Sequence, residues 1–154
     1  MADGRLDESP PQPLSRVQKG AFLAGNLGWS LASYGVANLL NYFYVPNVEG
    51  GTLMFPLYVS TDALFLGLTL LGLIASGGRL FDAITDPVVA GLSDRSGSRL
   101  GKRRWYMAIG AAPLALLSLL VFVPPGAPGD WLNPVALAAL LFLFYLFFTM
   151  YMVP

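Results

Sequence analysis

The 154-residue chain contains no cysteine and no histidine, and only 12% of its residues are charged. Without cysteine there is no disulfide framework and no thiolate metal site. Without histidine, the commonest general base and the imidazole metal ligands are also missing. Hydrolytic triads and zinc chemistry are therefore poor starting points, and no nucleophile–base set is visible that would make the chain an enzyme. A soluble domain carries about 25% charged residues, so half the usual supply for a wetted surface is absent. Nine Lys and Arg balance nine Asp and Glu. That balance leaves no overall field to draw in nucleic acid.

Apolar side chains are abundant instead: 55% of the chain is hydrophobic and its mean hydropathy is +0.61. Residues 1–18, "MADGRLDESPPQPLSRVQ", are polar and proline-rich and read as a disordered tail. They lack the basic-then-apolar order and the cleavage site of a signal peptide. Four apolar spans follow, at about 20–44, 62–93, 105–123 and 134–154. The second opens at Thr61 and Asp62, residues that suit an N-cap. "PPGAPG" stops the third, and Asn133–Pro134 opens the fourth. Each reaches the ~20 residues needed to cross a bilayer core. The expectation is an all-α integral membrane protein with four transmembrane helices.

Lys and Arg outside the spans set the orientation. The tail and its junction with span one hold Arg5, Arg16 and Lys19. The connection between spans two and three holds Arg95, Arg99, Lys102, Arg103 and Arg104. The other two connections hold only acids, Glu49 and Asp130. Cytoplasmic loops retain Lys and Arg, so the N-terminus and the 2–3 loop are expected in the cytoplasm of a multi-pass cell (inner) membrane protein. Tyr42, Phe43, Tyr44, Trp105 and Trp131 fall at span ends, where aromatic belts form.

The ninth basic residue, Arg79, lies inside span two with Asp82 and Asp86. On an α-helix these three fall at i, i+3 and i+7, on one face about 60° wide. A charge at mid-bilayer costs ~2.5–3.5 kcal/mol on insertion scales, so this stripe must face protein or a wet cavity. Arg79 is expected to pair with one aspartate, leaving the other free for a cationic guest, Na⁺ or H⁺. Hard cations take oxygen ligands, and Asp82, Asp86, Thr85 and a hydroxyl from another helix supply them. Pro87 frees a carbonyl one turn earlier, in a membrane either part of a cavity lining or an ordinary kink. An Arg–Asp pair that merely holds two helices together is the alternative for the stripe as a whole. Asp94 closes the helix against its macrodipole and needs a cationic partner.

The run "RLFDAITDPVVAGLSDRSGSRLGKRRW" resembles the second-helix and loop signature of the glycoside–pentoside–hexuronide:cation symporters. These are the melibiose-carrier branch of the major facilitator superfamily. Arg79, Asp82, Asp86, Pro87, Asp94, Arg95, Arg99, Gly101, Arg103 and Arg104 fit that pattern. Ala90, Ser96, Lys102 and Trp105 depart from it. The resemblance implies that spans one to four match the first part of an N-terminal six-helix bundle. It also implies that Asp82 and Asp86 are coupling-cation carboxylates, with Thr85 and Thr149 beside them. Asp94, Arg95, Arg99, Gly101 and Arg103 would form a cytoplasmic gate. Met152 and Asn26 stand where sugar carriers keep acids. Tyr34, Asn38 and Asn41, at i, i+4 and i+7, share a face with room for substrate contact or for helix–helix hydrogen bonds.

The chain finishes at "FTMYMVP", with no polar tail after span four. Carriers of this superfamily have two six-helix halves. The expectation is an N-terminal fragment, 19–154, of a cation-coupled transporter of a small solute such as a sugar or glycoside. Its partners would be the solute, membrane lipid and the carrier's C-terminal helices, with no cofactor beyond the coupling ion. A small oligomeric four-helix channel or scaffold is the alternative.

Overall fold

The computed structural model describes residues 13, 15–45, 48–49, 52–65, 67–97 and 101–152. The first helix, α1 (Arg16–Ser30), starts on a capping box. The Ser15 hydroxyl accepts from the Gln18 N–H at 3.2 Å, and the Gln18 side chain accepts from the Ser15 N–H at 2.9 Å. Two otherwise unpaired donors are satisfied this way. The tail boundary expected at residue 18 thus moves back to Ser15, because the polar residues 15–18 serve as cap and first turn. The tail proper, 1–12, lies outside the described residues. Beyond α1 the helix continues through a five-residue π segment, Leu31–Gly35, into α2 (Val36–Tyr44). Together they make a rod about 43 Å long at 1.5 Å per residue.

Helix α3 covers Leu70–Arg95, α4 Lys102–Leu120 and α5 Leu132–Met152. The second span was expected from residue 62, but its helix begins eight residues later. Asp62 is already engaged in a local turn: its carboxylate accepts from the Ser60 hydroxyl at 2.8 Å and its N–H donates to that oxygen at 3.2 Å. Gly67 then takes φ 77°, a left-handed conformation that suits glycine. Thr69 is the actual N-cap, accepting from the Gly72 N–H at 3.2 Å. Between α2 and α3 lie two small antiparallel hairpins, β1 (Val48–Glu49) with β2 (Thr52–Leu53) and β3 (Ala63–Phe65) with β4 (Leu68–Thr69). Each of the four apolar stretches contains a helix, but this connection, with the first residues of the expected second span, is not helical.

Helix α5 is the hub, packed against both α3 and α4. Its Leu137, Leu141 and Phe144 are buried with Leu114 and Leu117 of α4 and the Val121 that follows it, Leu71 of α3, and Val36, Leu40 and Tyr44 of α2. At one end, the Tyr44 hydroxyl donates to the Val121 carbonyl at 2.8 Å. Buried Asn133 joins there, accepting from the Gly126 N–H and donating to the Ala127 carbonyl, both at 2.8 Å. The C-terminal ends of α2 and α4 therefore meet where α5 begins. At the opposite end Arg103 lies 3.9 Å from Asp94, joining the start of α4 to the end of α3. The helices alternate in direction along the chain.

Glycine permits two close crossings. A Cβ on Gly110 would sit 3.1 Å from the Phe147 carbonyl oxygen, and one on Gly78 would sit 2.5 Å from the Tyr145 ring. Outward, Leu80, Ile84, Val88 and Leu92 of α3 form an i, i+4, i+8, i+12 stripe, each more than half exposed. A helix with leucines outside and carboxylates turned inward has the reverse of the usual soluble pattern. Among the described residues, Leu132–Met152 is the one helix long and apolar enough to cross a membrane by length and composition. The other three differ for visible reasons. The π segment divides the first, Arg79, Asp82 and Asp86 charge α3, and α4 opens on Lys102, Arg103 and Arg104.

Candidate functional site

Asp82, Thr85 and Asp86 sit on the face of α3 turned to α5, all partly buried. Their spacing of three and four residues stacks them on one side of the helix. Thr149 of α5 is 1% exposed and points straight between them. Its Oγ1 donates toward Asp82 Oδ1 at 2.7 Å and toward Asp86 Oδ1 at 3.0 Å. Thr85 Oγ1 lies 3.4 Å from Thr149 Oγ1 and donates to the Asp82 backbone carbonyl at 3.1 Å. The four oxygen-bearing side chains expected around a cation are thus brought together, three from one turn of α3 and Thr149 from 63 or more positions further along the chain.

One hydroxyl carries one proton. Thr149 satisfies one carboxylate at a time and presents a lone pair to the other. Two adjacent negative charges in a low-dielectric setting repel strongly. The arrangement is stabilised by one added positive charge, a shared proton or a small cation. Among the described residues no cluster of three or more acidic, His or Cys side chains exists. Two carboxylates and two hydroxyls fit a monovalent hard cation better than Ca²⁺, which takes six to eight oxygens.

Arg79 does not join the pair by contact. Its side chain is exposed, and among the described residues the ion pair found is Arg103 with Asp94. The expected Arg79–aspartate contact is corrected on this point: among the described residues Arg79 forms no ion pair with either carboxylate, its side chain reaching Tyr145 instead, although its charge still acts on Asp82. Helix α3 runs unbroken through Pro87.

The loop residues divide. Asp94 finds its expected cation in Arg103, with both side chains 68% exposed. Arg95 lies in the last turn of α3, favourable to the helix dipole. Gly101 caps α4 at φ 95°, a backbone conformation that disfavours any residue with a Cβ. Arg99 lies outside the described residues. The four polar residues of the first helix do not reach the carboxylates. The Asn38 amide donates to the Tyr34 carbonyl at 2.7 Å and the Asn26 amide to Phe22 at 3.5 Å, each within its own helix. Tyr34, Asn38 and Asn41 are exposed on the side opposite the buried Val36 and Leu40.

Several structural residues escaped the sequence reading. Tyr151 donates to the Gly25 carbonyl at 3.3 Å, the Trp29 indole nitrogen is buried without a partner among the described residues, and Asn133 ties the loop to α5. In the sequence Asn133 marks only the start of the fourth span; its burial beside the "PPGAPG" turn is visible in the structure alone.

The chain matches a family described as MFS/sugar transport protein over residues 21–154. It is 29% identical over 112 residues to an uncharacterized symporter, YnaJ, of Bacillus subtilis, covering 73% of this chain and 21% of that protein. It is 35% identical over 89 residues to an uncharacterized symporter, sll1374, of Synechocystis, covering 57% and 16%. With the inner membrane symporter YicJ of Escherichia coli it shares 28% over 92 residues, covering 60% and 19%. The chain thus spans about a fifth of the length of these curated relatives. No solved structure matches it significantly. The match over residues 21–154 and the symporter relatives lead to one assignment: the chain belongs to the MFS/sugar transport protein family, multi-pass membrane transporters and not enzymes.

Proposed function

We propose that this chain is the cation-coupling portion of a symporter that moves a small solute together with Na⁺ or H⁺. It crosses the membrane four times, with its N-terminus and the α3–α4 loop in the cytoplasm. The observation that carries the reading is the Thr149 hydroxyl held 2.7 Å and 3.0 Å from two carboxylates. Asp82, Asp86, Thr85 and Thr149 are the residues that hold the ion. Sugars and glycosides are the first solutes to try, given the family's description. The exposed face of Tyr34, Asn38 and Asn41 is free to meet solute together with further helices of the carrier. A pore shared between copies is disfavoured because the carboxylates turn toward α5 of their own chain.

Uptake of a labelled glycoside into membrane vesicles carrying the whole carrier tests the coupling. Accumulation is expected under an inward Na⁺ or proton gradient, to vanish when the gradient is collapsed, and to vanish in Asp86→Asn. Undiminished accumulation in Asp86→Asn would remove that carboxylate from the coupling site.

A further inference from the structure

The π segment Leu31–Gly35 interrupts an otherwise α-helical first span. Such single-turn π segments are rare and are found mostly at functional sites. One extra residue is fitted into the turn, so everything beyond it is rotated by about 100° relative to an uninterrupted α-helix. One contact records that rotation. Trp29 and Tyr34, five residues apart, meet edge to face with ring centroids 6.2 Å apart. On an uninterrupted α-helix, residues five apart point about 140° away from each other. The i to i+5 spacing of a π turn brings them to one side.

This rotation decides which residue of α1 continues the face of Tyr34, Asn38 and Asn41. In an uninterrupted α-helix it would be Leu27, seven residues before Tyr34 and two full turns away. Through the π segment Leu27 falls about 100° off that face and Asn26 takes its place. Ala32, Val36, Leu40 and Tyr44 are buried on another side. The result is a polar stripe about 20 Å long, from Asn26 to Asn41 at 1.5 Å per residue. No Asp, Glu, Lys or Arg occurs between Gly20 and Val48, so the stripe is uncharged.

Turned to lipid, these groups would go unsatisfied. Amides and a phenol both donate and accept hydrogen bonds. The Asn38 amide nitrogen is engaged with the Tyr34 carbonyl at 2.7 Å, which leaves its oxygen as an acceptor. An ionic solute finds no counter-charge along this helix, whereas a neutral solute rich in hydroxyls matches a row of donors and acceptors. We infer that the π segment is a register device. It turns Asn26, in place of Leu27, onto the face of Tyr34, Asn38 and Asn41, and the stripe so formed contacts a neutral, hydroxyl-rich solute. Further helices of the carrier then close the far side of the cavity and leave the stripe wet. The inference rests on the carrier reading above.

Cysteine labelling of the whole carrier tests it, with any cysteines outside this chain replaced, since the chain itself has none. Single variants Asn26→Cys, Leu27→Cys, Tyr34→Cys, Asn38→Cys and Asn41→Cys are treated in membranes with a charged, water-soluble methanethiosulfonate. Leu27→Cys should react at least about tenfold more slowly than the other four, because the reagent attacks a thiolate and the thiolate forms in water. Modified Asn26→Cys should lose gradient-driven uptake of labelled glycoside, and modified Leu27→Cys should keep it. Fast labelling of Leu27→Cys with slow labelling of Asn26→Cys would show α-helical register and overturn the device. Slow labelling at all five positions would place another helix on the stripe and overturn the solute contact. Full uptake by modified Asn26→Cys would also overturn that contact. A carrier that takes up no glycoside before modification overturns the solute named in the proposed function and the contact with it, while the labelling pattern still decides the register.

Discussion

Thr149 has a single proton and two carboxylates to offer it to, and the proposed cation site is built on that mismatch. Removing the hydroxyl leaves Asp82 and Asp86 facing each other without a donor. A hydrogen bond to a charged group contributes about 1.5–3 kcal/mol, which is roughly ten- to hundredfold in affinity. Thr149→Ala should therefore weaken Na⁺ binding by at least about tenfold in a calorimetric titration, while Thr149→Ser, which keeps the oxygen, should stay near wild type. Equal loss in both variants would mean that the methyl group, not the hydroxyl, positions the site. The aspartate pair was legible in the sequence because carboxylates four residues apart in an apolar span have one face to share. Thr149 was reached through resemblance, and its position between them needed the structure. Arg79 shares their face by helical spacing, but spacing places a side chain on a face without choosing its partner, and here it reaches Tyr145 rather than a carboxylate. Asn26 and Asn38 are similar cases, since an amide in a helix can turn back on its own carbonyls.

At the scale of elements, α5 holds the bundle together and glycine sets how near the others come. Gly110 crosses α5 with backbone atoms where a side chain would go, so its neighbours cannot rotate aside. Gly110→Val should destabilise the chain by about 1–3 kcal/mol, the usual cost of overpacking. Gly91 faces open space, and Gly91→Val should leave thermal unfolding in detergent almost unchanged. A shift of the same size in both would show that helix propensity, not the crossing, decides. The Asp94–Arg103 pair between the end of α3 and the start of α4 is exposed, and such pairs contribute about 0–1 kcal/mol. It orients α3 and α4 and adds little to their stability. Helix existence was legible from apolar length, but boundaries followed side-chain competition. Thr61 and Asp62 have the right chemistry for a cap, yet Ser60 engages Asp62 first and Thr69 takes the role. The π segment left no mark that periodicity could read, because one extra residue in a turn barely shifts the apolar pattern of so greasy a helix.

Among the described residues, two partly buried carboxylates face α5 from one side of α3 while the other side of α3 is apolar and exposed, a pattern that suits lipid outside and an ion within. The proposed orientation rests on where Lys and Arg fall. The absence of cysteine makes this testable without background: a single Ser96→Cys should react with an impermeant maleimide only from the cytoplasmic side, and Ser60→Cys only from the other. Labelling of both from one side would contradict four crossings. The central claim is that Asp82, Asp86 and Thr149 hold one positive charge that is either a proton or Na⁺. Its most direct measurement is proton release when Na⁺ is added to the chain in nanodiscs under weak buffering. The account predicts that saturating Na⁺ releases protons from the wild type, at most about one per chain because the pair shares a single site, and none from Asp86→Asn. Release that is undiminished in Asp86→Asn, or Na⁺ binding unaffected by the loss of both aspartates, would contradict it.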